Sequence, residues 1–176
     1  MKLDKPGLFS LIEPKNDSRG SFAKLFDSKI TFLEKFKICE VISSINLIPG
    51  TIRGLHFQKF PHEIGKIVVC LEGEIFDVAV NIQKDSKNFG LVQTFELKSS
   101  DNKYIYIPIG FAHGFQTLVP NTKILYFLDN NYHSSHDSAI SPFDSTLDIE
   151  WPISNYVVSE RDKNAQTLEK VKNENL

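Results

Sequence analysis

The sequence predicts an all-β protein, an antiparallel sandwich or jelly roll with a few short helices. Three observations lead there. Short runs of β-branched and aromatic residues recur along nearly the whole chain, separated by Gly, Pro, Asn, Asp and Ser. Only two stretches have the composition and spacing of helices. The aromatic content is weighted to Phe, with 14 Phe against five Tyr and one Trp, which suits packed sheets.

Taken in order, GLFSLIE (7–13) and SFAKLFD (21–27) are strand-like, and SKITFLEKF (28–36) has helical spacing. ICEVISSINLI (38–48) and TIRGLHFQ (51–58) follow as strands, parted by Pro49-Gly50. KIVVCL (66–71) and EIFDVAVNI (74–82) flank Glu72-Gly73, a tight hairpin signal. In the second of these, Phe76, Val78, Val80 and Ile82 share a face at period two. LVQTFELK (91–98), KYIYIP (103–108), GFQTLV (114–119) and KILYFLDN (123–130) complete the strands. The charged tail, 159–176, opens with Ser159, a capping residue, and is expected to be helical. With 176 residues and no repeat or linker, one domain spanning 1–176 is expected, closed by that helical tail.

Composition narrows the function. A net charge of −2 gives no support for a nucleic-acid or membrane-surface partner, though a local Arg/Lys cluster could hold a small anion. The two cysteines, Cys39 and Cys70, have neither metal-site nor disulfide-scaffold spacing, and Cys70 in IVVCL reads as a small packed hydrophobe. No signal peptide or membrane-length apolar run is visible, so a reduced, cytoplasmic protein is expected.

RGLHFQ (53–58) is the stretch that asks for an explanation. It puts Arg53 and His56 on a segment otherwise built to be covered. A jelly roll often carries its ligand in its mouth, so these residues are expected to face a wet pocket. Of the remaining histidines, His133 and His136 in NNYHSSHDS and His62 in KFPHE read as loop residues. His113 follows the Pro108–Gly110 turn and opens a strand, either in the pocket or as a hydrogen-bonded rim residue. A metal-binding cupin would show an HxH pair, but Phe57-Gln58 follows His56. Two imidazoles without a close third ligand hold a divalent metal poorly. A cupin-type jelly roll with no metal and no cofactor, using His56 as acid or base, is therefore expected. Such a histidine needs a carboxylate to orient it, and spacing does not choose among 22 acids.

Eight segments in order, RGSF (19–22), TIRGLHFQ (51–58), GKIV (65–68), EGEIFDVAV (72–80), IPIGFAHGF (107–115), ILYF (124–127), DIEWP (148–152) and SERD (159–162), resemble the dTDP-4-dehydrorhamnose 3,5-epimerase family. The resemblance runs over about residues 7 to 165. It implies a cupin-like, metal-free homodimer acting on a nucleoside-diphosphate 4-keto-6-deoxyhexose in deoxysugar and polysaccharide biosynthesis. It also implies roles: His56 the base, Asp162 its carboxylate partner, Tyr126 the acid across the sugar ring, and Lys66 the cation near the keto oxygen. Arg53, Gln58, His113, Tyr132 and Lys163 would contact substrate, and Arg19 and Phe22 would cross to a partner's pocket. The chemistry agrees. A ketone at carbon 4 acidifies the hydrogens at carbons 3 and 5, and inversion needs a base, an acid on the opposite face and a donor at the developing oxyanion.

Read without the resemblance, Tyr126 fits a core aromatic, Lys66 an edge lysine, Asp162 a first-turn acid and Arg19 a loop arginine. The sequence also departs from the family pattern. Val41, Ile42 and Ser43 replace a Gln/Asn-bearing stretch, Lys24 replaces an acid, Asn131 replaces one of two tyrosines, and Phe143 in SPFDS stands in a tryptophan region. Three alternatives stay open: a single-centre epimerase at carbon 3 or 5, a metal-dependent cupin using His56, His62 and His113, and a catalytically silent sugar-nucleotide-binding module.

Overall fold

The computed structural model describes residues 4–27, 29 and 36–174. The helix predicted over 28–36 therefore lies outside the described residues except at 29 and 36. Two antiparallel sheets face each other. The first has the order β1-β9-β6-β11-β4, with β1 Gly7–Ser10, β4 Glu40–Asn46, β6 Lys66–Glu72, β9 Lys103–Ile107 and β11 Thr122–Leu128. The second has the order β12-β5-β10-β7-β8, with β5 Thr51–Gln58, β7 Glu74–Asn81, β8 Val92–Lys98, β10 Phe111–Thr117 and β12 Asp137–Ala139; β13, Val157–Val158, pairs in parallel with the start of β5. A small hairpin of β2, Lys15–Asp17, and β3, Gly20–Phe22, stands apart from both. The expected jelly roll of cupin type is the observed fold.

Alternation along the strands builds three apolar layers. Between the sheets lie Val68, Ile75, Ala79, Leu97, Ile105, Ile124 and Phe115, nearly all without solvent contact. Burying each large side chain contributes about 1.5–3 kcal/mol. Cys70 belongs to this layer, and burial pushes its thiol up to about 12, so it packs as the sequence suggests. The outer face of the second sheet, with Leu55, Phe57, Val78 and Val80, is covered by the C-terminal third through Ile140, Leu147, Leu168 and Val171. The outer face of the first is covered by Leu11, Leu25, Phe26 and Phe36. The predicted face of Phe76, Val78, Val80 and Ile82 is thus an outer face, roofed by the C-terminal third, which also carries Trp151.

Three expectations are corrected. SFAKLFD (21–27) is strand only at its start, since β3 ends at Phe22 and 23–27 run without strand pairing while Leu25 and Phe26 pack on the first sheet's outer face. Glu72-Gly73 is not a hairpin. Gly73 has φ +88° and a Cβ there would meet Thr122 Oγ1 at 2.5 Å, so the turn is as tight as expected, but β6 and β7 belong to different sheets. Each strand finds its partners elsewhere: β6 pairs with β9 and β11, and β7 with β8 and β10. The tail is two short helices rather than one. α1, Glu160–Lys163, is capped by Ser159 as anticipated, and α2, Leu168–Asn173, by Thr167. Between them the chain extends so that Gln166 bridges Ile140, which lets Leu168 and Val171 reach the core.

Candidate active site

Residues three apart on a regular strand point to opposite faces, yet Arg53 and His56 of β5 both line one cavity. The cause is a bulge. Against β10, His56 pairs with His113 and Arg53 with Phe115, so three steps on β5 match two on β10. Gly54 makes the crossing possible: its φ is +122°, and a Cβ on it would lie 2.6 Å from Gly114 Cα and 2.7 Å from the His113 carbonyl oxygen. Leu55 and Phe57 then go to the outer core while His56 turns inward.

The cavity, of about 560 Å³, opens between the sheets. β4 supplies Glu40, Ile42 and Ser44; β6 supplies Lys66; β10 supplies His113; β11 supplies Tyr126 and Leu128. Tyr132, Asp137 and Arg161 close the rim. The volume lies within the usual range for small-molecule sites.

His56 is held by a carboxylate from the far end of the chain. Its Nε2 lies 2.8 Å from Asp162 Oδ1, and Asp162 Oδ2 accepts from the Gly54 N–H at 3.2 Å. Asp162 in turn donates its own N–H to Ser159 Oγ, so the helix cap fixes the acid. Burial pushes the Asp162 carboxyl up, but the hydrogen bond and charge of His56 and the Gly54 N–H outweigh it, leaving it below the ordinary carboxylate range. With Nε2–H given to an ionised Asp162, Nδ1 is the nitrogen able to accept a proton.

Lys66 lies beside this pair, its Nζ donating to the His56 carbonyl at 3.4 Å. Burial pushes its ammonium down to about 8 against the opposing pull of Asp77 and Asp137. Burial raises the Tyr126 phenol well above its ordinary range, so it stays protonated. Arg53 is aimed by Asn46 of β4, whose Oδ1 accepts from Arg53 Nε at 2.7 Å.

The remaining predicted residues divide. His113 is in the pocket, buried, with Nε2 2.8 Å from Asp77 Oδ2. Tyr132 is at the rim, its hydroxyl donating to Asp137 Oδ2 at 3.1 Å. Gln58 lines the wall, but its amide is taken: Nε2 donates to the His62 and Asn131 carbonyls, and Oε1 accepts from the His133 N–H. Lys163 is exposed and outside the cavity lining. Arg19 pairs with Asp17 on the β2–β3 hairpin, and Phe22 is 76% exposed there; neither lines this chain's cavity. Lys24 pairs with Asp27, also away from it. The alternative set His56, His62 and His113 is not assembled: His56 and His113 are cross-strand neighbours with their own acids, and His62 packs against His133.

Three site residues escaped the sequence reading. Asp77 sits in EIFDVAV on the strand face of Ile75 and Ala79, where an acid among core residues was the available signal. Arg161, beside Asp162 in SERD, reaches the rim and donates to Asp137 Oδ2 at 2.5 Å. Asn46 gave no signal, since its role depends on β4 crossing Arg53.

Comparison with known proteins agrees with this fold. The family model for dTDP-4-dehydrorhamnose 3,5-epimerase matches residues 6–170. The enzyme of that name from Shigella flexneri is 36% identical over 160 residues, covering 89% of this chain and 88% of its own. Among solved structures, dTDP-4-dehydrorhamnose 3,5-epimerase from Bacillus anthracis str. Ames, with TDP and PPi bound, superposes with a TM-score of 0.87 at 33% identity, covering 92% of this chain and 93% of its own. dTDP-6-deoxy-D-glucose-3,5-epimerase from Legionella pneumophila Philadelphia 1, in complex with dTDP-4-keto-L-rhamnose, gives a TM-score of 0.88 at 31% identity, covering 96% and 90%. A cupin-like jelly roll with a carboxylate-held histidine in its mouth, matched along nearly its full length, is an isomerase belonging to the dTDP-4-dehydrorhamnose 3,5-epimerase family.

Proposed function

We propose that this protein inverts carbons 3 and 5 of a dTDP-linked 4-keto-6-deoxyhexose, as its relatives' names describe for them. The observation that carries the reading is the 2.8 Å His56–Asp162 contact in a cavity that Lys66 and Tyr126 also line. His56 Nδ1 takes the proton from the carbon next to the ketone. Asp162 holds the ring and offsets the imidazolium charge that forms. The electron pair moves onto the ketone oxygen, where the Lys66 ammonium stabilises the enolate. Tyr126, kept protonated by burial, returns a proton from the other face; solvent then reprotonates the phenolate and takes up the proton held on His56 Nδ1, which resets both groups. Arg53 and Arg161 supply the cations for a diphosphate.

A homodimer completes the reading. β4 forms one margin of its sheet and exposes Val41 and Ile45 at 53% and 59%, with Leu47 just past its end at 68%, an apolar edge suited to a second copy. The β2–β3 hairpin, with Arg19 and Phe22 turned to solvent, suits a segment that reaches a neighbour's cavity. A reducing cytoplasm fits the two free thiols, and among the described residues no helix is long and apolar enough to cross a membrane.

The test is to incubate the protein with dTDP-4-keto-6-deoxyglucose in deuterated water and follow carbons 3 and 5 by NMR. Deuterium at both carbons is expected. Label at one carbon identifies a single-centre enzyme, and no label with dTDP-, GDP- or UDP-linked substrates refutes the proposal.

A further inference from the structure

Each cavity histidine has a carboxylate partner. The other three have none among the described residues; they have each other. His62, His133 and His136 come from two loops at the C-terminal end of β5, and one ring nitrogen of each lies within 4.8 Å of the others. The His62 and His133 rings are 4.1 Å apart, and His62 and His136 4.3 Å. Nδ1 of His133 and Nδ1 of His136 are 3.1 Å apart, with Ser135 Oγ 3.0 Å from each.

Backbone bonds hold these rings in place. The Lys59 N–H donates to the His136 carbonyl, the His62 N–H to the Lys59 carbonyl, and the His136 N–H to the His133 carbonyl. Gln58 bridges the loops, giving Nε2–H to the His62 carbonyl at 2.6 Å and accepting the His133 N–H on Oε1 at 2.6 Å. The buried amide of Gln58 thus carries a scaffold whose outward product is three converging imidazoles.

We propose that His62, His133 and His136 form a site for one divalent transition-metal ion, zinc foremost, that clamps the loop after β5 to the loop before β12. Zinc binds imidazole nitrogen at about 2.0–2.1 Å in a tetrahedron, which sets ligand nitrogens about 3.3 Å apart. The His133–His136 separation already meets this spacing, and rotation of the half-buried His62 ring brings in the third ligand. Three neutral imidazoles select zinc, nickel or copper over magnesium or calcium, which take oxygen donors. His133 is exposed, so water fills the fourth position. The clamped loop carries Tyr132 and Asp137 into the cavity rim, so the ion steadies the substrate entrance and takes no part in the proton transfers.

The test uses tag-free full-length protein stripped with chelator and titrated with Co²⁺, then Zn²⁺. One equivalent of Co²⁺ with visible d–d absorption, bleached by one equivalent of Zn²⁺, is expected. His62→Ala, His133→Ala and His136→Ala should each weaken binding by at least about tenfold, since even an outer-shell loss costs that much. Zn²⁺ should slow amide exchange over 130–137 in the wild type and not in the variants. Circular dichroism of the metal-free variants checks that they fold. Should one not fold, paramagnetic Co²⁺ shifts in the wild type decide, and they are expected at these three rings. No stoichiometric uptake, uptake unchanged in a His133→Ala/His136→Ala double variant, or shifts centred on His56 and His113 overturn the proposal.

Discussion

Replacing Lys66 with Met should make the folded protein more stable and the enzyme poorer. Burial depresses the ammonium from 10.5 to about 8. Each pKa unit corresponds to about 1.4 kcal/mol, so holding the charge in the folded state costs roughly 3 kcal/mol. The value is an upper bound, because Lys66 keeps some solvent contact and its bond to the His56 carbonyl is lost with it. The sign follows from proton counting. Below pH 8 both states are protonated and the folded state carries the full cost. Between about 8 and 10.5 the unfolded chain binds the extra proton, so wild-type stability from this group rises with pH. Lys66→Met should therefore gain up to about 3 kcal/mol at pH 7 and little above pH 10.5, measured as the urea midpoint at constant m-value. Turnover should fall about 10²–10³-fold, the usual loss for one oxyanion donor. A variant less stable than wild type at pH 7, or a gain that does not shrink at high pH, would refute the argument.

Other outcomes follow from the same geometry. His56→Asn should lower turnover by about 10²–10⁴-fold while substrate affinity by calorimetry changes little. Tyr126→Phe should keep deuterium exchange next to the ketone but lose inverted product, visible when label and stereochemistry are scored in one NMR sample. Asp162 lies below the ordinary carboxylate range, so its stabilisation is present at neutral pH and is lost as pH falls through its folded value; Asp162→Asn should flatten the acid side of a stability–pH profile. Gly54→Ala combines a left-handed φ with a 2.6 Å approach to Gly114 and should cost about 2–5 kcal/mol in thermal or urea unfolding.

Much of this molecule was legible in its residues. TIRGLHFQ is β5 to the residue, and KIVVCL, KYIYIP and KILYFLDN lie within two residues of β6, β9 and β11 at the ends that matter. Alternation and β-branched content mark a strand locally, with no reference to the rest of the chain. The Ser159 cap was readable for the same reason. The proposed acid–base set His56, Asp162, Tyr126 and Lys66 came from resemblance; three of these residues line one cavity and the fourth is bonded to His56.

The sequence by itself determined most of the strands, the turns and the kinds of chemistry available, because those depend on neighbours a few residues away. Only tertiary structure decided which strands pair, so a tight turn that reads as a hairpin proved to be a corner between sheets. It also decided that a bulge turns Arg53 and His56 to one side, that Asp77 meets His113, and that three loop histidines converge. Each of these is set by segments tens of residues apart, and a side chain's partner across that distance is fixed by packing that no local pattern encodes.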